Sequence, residues 1–399
     1  MTAFPAYLPA LGIVSALGAG RSEVAANLFA GRNEGMRRRD DLLADGQPAT
    51  VGEVASPLPD VPDHLRAYES RNLQLIIAAA EQIRPEIEAA LSRYGTARIG
   101  VVMGSSTSGI DRGEAALAVY EKSGSLPPGF DIRMQELGSV GEALAKYLGI
   151  EGPAYTVSTA CSSGAHALAA GRRMLQTGLV DAVVAGGADT LCRLTVNGFQ
   201  ALSALSLDLC NPFSRNRAGI NIGEGAAIFL MQKEESEVAL WGTGTSSDGY
   251  SMTAPDPEGT GIEIALRAAL ADAKVEPKEI DYVQLHGTGT AQNDLVESAV
   301  IKRLFKGEIP ASSSKAQIGH TLGAAGAMGA AHCWLAAHSA NTEGYLPPHL
   351  WDGMADDGLL SESLVSPGEV LAPSARRLFL SNTLAFGGNN AGLVLGRQP

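Results

Sequence analysis

Short apolar runs alternate with amphipathic helical stretches from one end of the chain to the other. That alternation restricts the chain to an α/β architecture. Strand-like runs stand at Arg98–Met103, Asp181–Ala185, Ala226–Met231, Tyr282–Leu285, Leu378–Leu380 and Gly392–Leu395. Between them, apolar residues recur every three or four positions over Arg71–Arg93, Ser163–Thr177, Gly261–Ala273 and Asp294–Leu304, which predicts helices there. A charged segment, Gln232–Glu237, separates two strand signals and places a boundary near residue 238. The chain therefore divides into residues 1–238 and 239–399. Each part opens and closes on a strand, a weak sign of duplication.

The 399 residues carry 30 Lys and Arg against 43 Asp and Glu, a net charge of −13, which argues against nucleic-acid binding. No apolar run reaches the roughly 20 residues needed to cross a bilayer. Pro5 and Pro9 interrupt the first apolar stretch, and no positive residue precedes it, so it makes a poor signal peptide. The expectation is a cytoplasmic globular protein whose four cysteines form no disulfide framework.

Four segments combine chemistry-bearing residues with small ones. In Val157–Gly178, a β-favouring stretch runs into Cys161 and then into an Ala-rich helix. A cysteine at a helix N-terminus meets unpaired N–H groups and the positive dipole end, which favour a thiolate. In Tyr282–Ser298, a strand ends at His286, and a loop with Thr288 and Thr290 leads to Asp294 and Glu297 on a helix. In Ser312–Cys333, Lys315 precedes His320 by five residues, and a helix of small residues follows. In Ser381–Gly396, Phe386-Gly387-Gly388 forms a tight turn whose N–H can stabilise an oxyanion. One thiol, two histidines, a lysine and a glycine turn suit acyl transfer through a thioester. His64, His166, His332, His338 and His349 lack supporting neighbours and read as structural, as do Cys192, Cys210 and Cys333.

In these segments, and in Asn197–Ser206 and Asn211–Ala227, the chain resembles the elongating β-ketoacyl–acyl-carrier-protein synthases of the thiolase-like superfamily. The resemblance runs nearly end to end. It implies a five-layered αβαβα fold made of two similar halves, joined with an identical or related subunit into a homodimer or heterodimer. It implies that Cys161 accepts the acyl group and that His286 and His320 hold the malonyl thioester carbonyl. Lys315 would tune that pair, Thr288 and Thr290 would contact the phosphopantetheine arm of the acyl carrier protein, and the N–H groups of Cys161 and Phe386 would form the oxyanion hole. The family needs no bound metal or redox cofactor.

Three departures stand out. Gly329 replaces the glutamate usual nine residues after the second histidine. In the gating segment Leu384, Ala385 and Asn389 replace an aromatic, a glycine and a threonine. Ala218 and Ile220 stand where Asp and Phe are common. With Ser106–Ile110, the altered gate is similar to synthases of aryl-polyene pathways. The gate is expected to have fewer accessible conformations and an entrance that is wider at rest, suited to a rigid acyl chain. The alternatives are a catalytically silent chain-length-factor subunit and a coenzyme A-dependent thiolase. A docking patch for the acidic carrier is expected at Arg66 and Arg71, with Arg37, Arg38 and Arg39 as the densest positive run.

Overall fold

The computed structural model describes residues 4–306 and 309–398. Its main sheet has eleven strands, ten of which form two sets of five, while the short strand Gly18–Ala19 pairs only with the first strand. The first set comprises β1 (Ala6–Ser15), β2 (Ile99–Gly104), β3 (Ala154–Val157), β4 (Ala182–Asp189) and β5 (Gly225–Gln232). The second comprises β6 (Ala239–Ser247), β7 (Tyr282–Gln284), β8 (Ala311–Ser312), β9 (Arg377–Ala385) and β10 (Asn389–Arg397). Hydrogen bonding runs in the order β3-β2-β4-β5-β1 in the first and β8-β7-β9-β10-β6 in the second. Counted within each set, both read 3-2-4-5-1.

The strand directions repeat as well. β2 is parallel to β3 and β4, while β5 is antiparallel to β4 and β1. The second set has β7 parallel to β8 and β9, with β10 antiparallel to β9 and β6. The duplication that the sequence shows only weakly is explicit in this topology. The sets meet where Ala6 and Tyr7 pair with Leu240 and Ala239.

Helices cover both faces of each set, so the strands are buried on both sides and read as continuous apolar runs. In β4, Val183 and Ala185 point into one core while Ala182 and Val184 point into another. In β9 and β10, Phe379, Leu393 and Leu395 face the first of these cores, and Leu378, Leu380 and Val394 face a third. The helices α1 (Arg71–Glu81) and α2 (Ser139–Leu148) pack outside the first set. The helices α3 (Ser163–Gln176) and α6 (Ala325–Ala337) pack on each other between the two sets. Outside the second set lie α4 (Thr260–Ala273) and α5 (Ala291–Phe305). This is the five-layered αβαβα arrangement. The middle layer is buried all round, which explains why α6 is apolar on every face.

The stretch Arg71–Arg93 is two helices rather than one. The first ends at Glu81 and a second spans Arg84–Tyr94. Pro85 lies in the first turn of the second helix, where its missing N–H breaks no helical bond. At the break, the Gln82 side chain binds both the N–H and the carbonyl of Ile13 on β1, at 2.9 and 3.0 Å.

Candidate active site

Cys161 lies between β3 and α3. Ala160 before it adopts φ 51°, a left-handed conformation uncommon for a residue with a Cβ. Ser163 clamps this turn, because its hydroxyl donates to the Ala160 carbonyl at 2.6 Å and accepts from the Thr159 N–H at 2.9 Å. The thiol is thereby aimed across the interface between the two halves. His320 Nε2 stands 3.1 Å from Cys161 Sγ.

His320 is pinned through its own backbone. Its N–H donates to the Asn221 carbonyl at 2.6 Å, and its carbonyl accepts from the Gly223 N–H at 2.9 Å. Gly319 makes this crossing possible, since a Cβ there would lie 2.8 Å from the Gly223 backbone. His286 lies two residues beyond β7, and its ring centroid is 5.1 Å from that of His320, with the planes nearly perpendicular.

Two buried carboxylates fix the His286 loop. Glu297 accepts from the N–H groups of His286 (2.6 Å) and Gly287 (2.7 Å), and from the Asn382 amide at 2.8 Å. Asp294 accepts from the N–H groups of Thr288 (3.0 Å), Gly289 (3.1 Å) and Phe213 (2.8 Å). The Thr288 and Thr290 hydroxyls are 3.0 Å apart. Lys315 Nζ donates to the His286 carbonyl from behind the ring pair.

Burial dominates the electrostatics. It drives both His286 and His320 well below the usual histidine range, and the Lys315 charge adds to the effect. Both rings are therefore neutral near pH 7. Burial also lowers Lys315 and raises Glu297 to about 7. The helix-terminus argument for a resting thiolate at Cys161 is overturned. Burial pushes this thiol up to about 12, against the opposing influence of Lys315 and of the N–H groups of Phe386 and Cys161 itself.

A cavity of about 500 Å³ opens onto this cluster. Cys161, His286, His320, Thr288, Thr290, Leu384, Ala385 and Phe386 all line it, whereas the buried Lys315, Asp294 and Glu297 lie behind its wall and the exposed Gly387 lies outside it. Phe386 stacks on Phe199 with centroids 5.2 Å apart. The gate differs from expectation in its local geometry. Ala385 is extended at φ −141°, so its Cβ carries no strain here, and Gly387 and Gly388 take the positive φ values of 78° and 71°. Leu384 is buried in the core of the second half. The gate is also tied to a second loop, through Gly387 N–H to Met252 O (2.8 Å) and Asp248 N–H to Gly388 O (2.9 Å).

Asp189, at the end of β4, was not anticipated. Its fully buried carboxylate accepts from the Ser105 hydroxyl (2.6 Å), the Thr107 N–H (2.9 Å) and the Gly323 N–H (2.6 Å), and also from Ser106. It thus joins the loop after β2 to the segment carrying His320. The available signal is an acidic residue closing a run of Ala, Val and Gly, which is a buried polar position.

The docking expectation at Arg71 is corrected. Its guanidinium forms a two-pronged pair with the fully buried Glu224, at 2.8 and 2.6 Å, and also binds the Val54 carbonyl. That charge serves the interior. Arg66 is exposed and pairs with Asp63 at 3.3 Å. Arg38 pairs with Asp208, and Arg39 with Asp41 and Glu53, so acidic neighbours offset much of the densest positive run.

No group of three or more metal-ligating side chains occurs among the described residues, and no described helix is long and apolar enough to cross a membrane.

Family models match most of the chain. One described as "Beta-ketoacyl synthase, N-terminal domain" matches residues 10–236, and one described as "Beta-ketoacyl synthase, C-terminal domain" matches residues 238–350. A chain of the solved complex of the ketosynthase ApeO with its chain length factor ApeC, from Xenorhabdus doucetiae, is 43% identical. That match covers 99% of this chain and 98% of the other, with a TM-score of 0.93. Nodulation protein E of Rhizobium sp. (strain N33) is 30% identical over 93% of this chain and 94% of its own length. The 3-oxoacyl-[acyl-carrier-protein] synthase 2 of Staphylococcus aureus (strain COL) is 31% identical over 84% of each.

Proposed function

We propose a specific role for this chain within the β-ketoacyl synthase family, to which it belongs: the condensing subunit of a two-subunit synthase in a specialised pathway. The enzyme is a β-ketoacyl-acyl-carrier-protein synthase, joining an acyl group to malonyl-carrier by decarboxylative Claisen condensation. The observation that carries the condensing role is the Cys161 thiol at 3.1 Å from His320, with His286 beside it and both rings neutral.

In our reading, the acyl-loaded phosphopantetheine arm enters the cavity past Thr288 and Thr290. The Cys161 sulfur attacks the acyl thioester carbonyl, and the N–H groups of Cys161 and Phe386 hold the oxyanion. The carrier sulfur departs with the proton that Cys161 gives up. Malonyl-carrier then takes its place, with its thioester oxygen accepting from His286 and His320. The bond to the carboxylate breaks, CO2 leaves, and its electron pair forms an enolate held by the two ring N–H groups. The enolate carbon attacks the acyl carbonyl on Cys161. The cysteine sulfur is expelled and recovers a proton from solvent, leaving β-ketoacyl-carrier.

Pairing of two related subunits is supported by the likeness to a chain of a solved complex between a ketosynthase and its chain length factor. The half-exposed β3, at the free end of the first strand set, is consistent with it. The altered gate and Ser106–Ile110 support a conjugated acyl substrate of the aryl-polyene kind. A silent subunit would have no use for a thiol within hydrogen-bonding distance of a neutral histidine.

Mass spectrometry of the chain after incubation with a panel of acyl-carriers tests this role. An acyl adduct confined to Cys161, with malonyl-carrier decarboxylation by the same preparation, is expected. Absence of both, with and without a chain-length-factor subunit, would assign the chain to the silent role.

A further inference from the structure

Behind the paired histidines lies a second, smaller cavity of about 20 Å³, lined by His286, Lys315, Thr321, Met328, Gly329 and Asn382 among others. It is large enough for one water, which requires roughly 10–15 Å³ and two to four polar partners. Two lining residues carry buried oxygens without a hydrogen-bond partner among the described residues, Thr321 Oγ1 and Asn382 Oδ1. The Asn382 amide nitrogen is already committed to Glu297 at 2.8 Å, so its oxygen turns the other way. Lys315 Nζ has three donors, and one goes to the His286 carbonyl. On α6, Gly329 presents no side chain to this space, and a Cβ there would approach Ser381 Oγ to 2.8 Å.

We propose that this cavity binds one neutral, water-sized molecule, namely water, that accepts from Lys315 and is shared with Thr321 and Asn382. The ammonium beside the cavity disfavours a cation. The acceptor oxygen of Asn382 and the nearby Glu297 carboxylate disfavour an anion. The bound water solvates Lys315, whose charge helps keep the histidines neutral. The charged and titratable groups around Lys315 are Glu297 and Asp294 from α5, Cys161 at the start of α3, Cys210, His286 after β7, His320, and His332 from α6. The site itself stands without the assigned reaction; only its kinetic test rests on that reading.

The experiment is a crystal structure at atomic resolution of the full chain and of Thr321→Val, each also soaked in rubidium. A single peak within hydrogen-bonding distance of Lys315 Nζ, Thr321 Oγ1 and Asn382 Oδ1, lost in Thr321→Val and free of rubidium signal, is expected. Empty density in the parent chain, or a rubidium peak, overturns the proposal, and the parent crystal decides even if the variant fails to fold. In malonyl-carrier decarboxylation, the variant loses solvation of the Lys315 ammonium. Because the ammonium also offsets the negative charge that develops on the enolate, the alkaline limb should move down by about one pH unit while the acid limb stays. A lower profile with both limbs unmoved would overturn the link to Lys315.

Discussion

His320 Nε2 and Cys161 Sγ lie 3.1 Å apart although 159 residues separate them in the chain. One residue enters from each half, each from a loop that leads into a central helix. Removing the sulfur should therefore leave a folded protein without a nucleophile. Cys161→Ala is expected to abolish condensation, because the other three cysteines are buried and none lines the large cavity. Cys161→Gln should still decarboxylate malonyl-carrier, since its amide imitates an acylated cysteine. Product formation by the alanine variant, followed by chromatography of the acyl-carriers, would contradict the assignment.

His286→Ala and His320→Ala should each lose about 10²–10³ in decarboxylation rate, the usual cost of deleting one donor to a developing oxyanion. Acyl loading of Cys161 should survive in both. Neutral rings are needed, and both are held well below 6.5. Decarboxylation should thus continue below pH 6.5 and fade only as pH falls through the folded-state values. In that window the unfolded chain binds more protons than the folded one, so stability rises with pH. Rate profiles and urea midpoints measured together check both statements; an acid limb centred at 6.5 or above would refute the first.

Arg71→Ala should destabilise the fold by about 3 kcal/mol, because it strands the fully buried Glu224 without its cation. Arg66→Ala, on the exposed pair with Asp63, should change stability by less than about 0.5 kcal/mol. Urea denaturation distinguishes them. Charge reversal at Arg66 alone then tests carrier docking, as a raised Michaelis constant at low salt that disappears as salt screens the contact.

Leu384→Phe places an aromatic ring at the cavity wall beside Phe386. It should slow transfer of bulky or conjugated acyl groups more than that of short saturated ones. A matched substrate series measures this, and equal slowing throughout would remove the physical support for a conjugated substrate.

The site segments were legible because each reactive residue follows a strand and sits among Gly, Ser, Thr or Ala, leaving room for a substrate arm. The reactive groups thus advertise themselves locally. Asp189 does not, because what it holds, Ser105–Thr107 and Gly323, is remote in sequence and meets only in the fold. Arg71 misled for the same reason: its partner Glu224 is 153 residues away. The state of the Cys161 thiol is not legible locally, because a helix terminus is a local feature whereas the burial that dominates its titration arises only in the fold. The break at Gln82 is hidden in the sequence because α1 and its successor share apolar spacing, and only the reach of Gln82 to β1 reveals the interruption.

The repeated 3-2-4-5-1 strand order gives the reactive residues matching addresses. Cys161 follows the third strand of its half, and His320 follows the third strand of the other. His286 follows the second strand, where the first half offers Ser105–Thr107 gathered around Asp189. An ancestral pair of identical units would have held the same side chain at both addresses. In the mechanism proposed above the copies divide the labour, one supplying the nucleophile and the other the hydrogen-bond donors. That mechanism places the chemistry at the seam between them, and a half-length chain, however well folded, carries only one side of it.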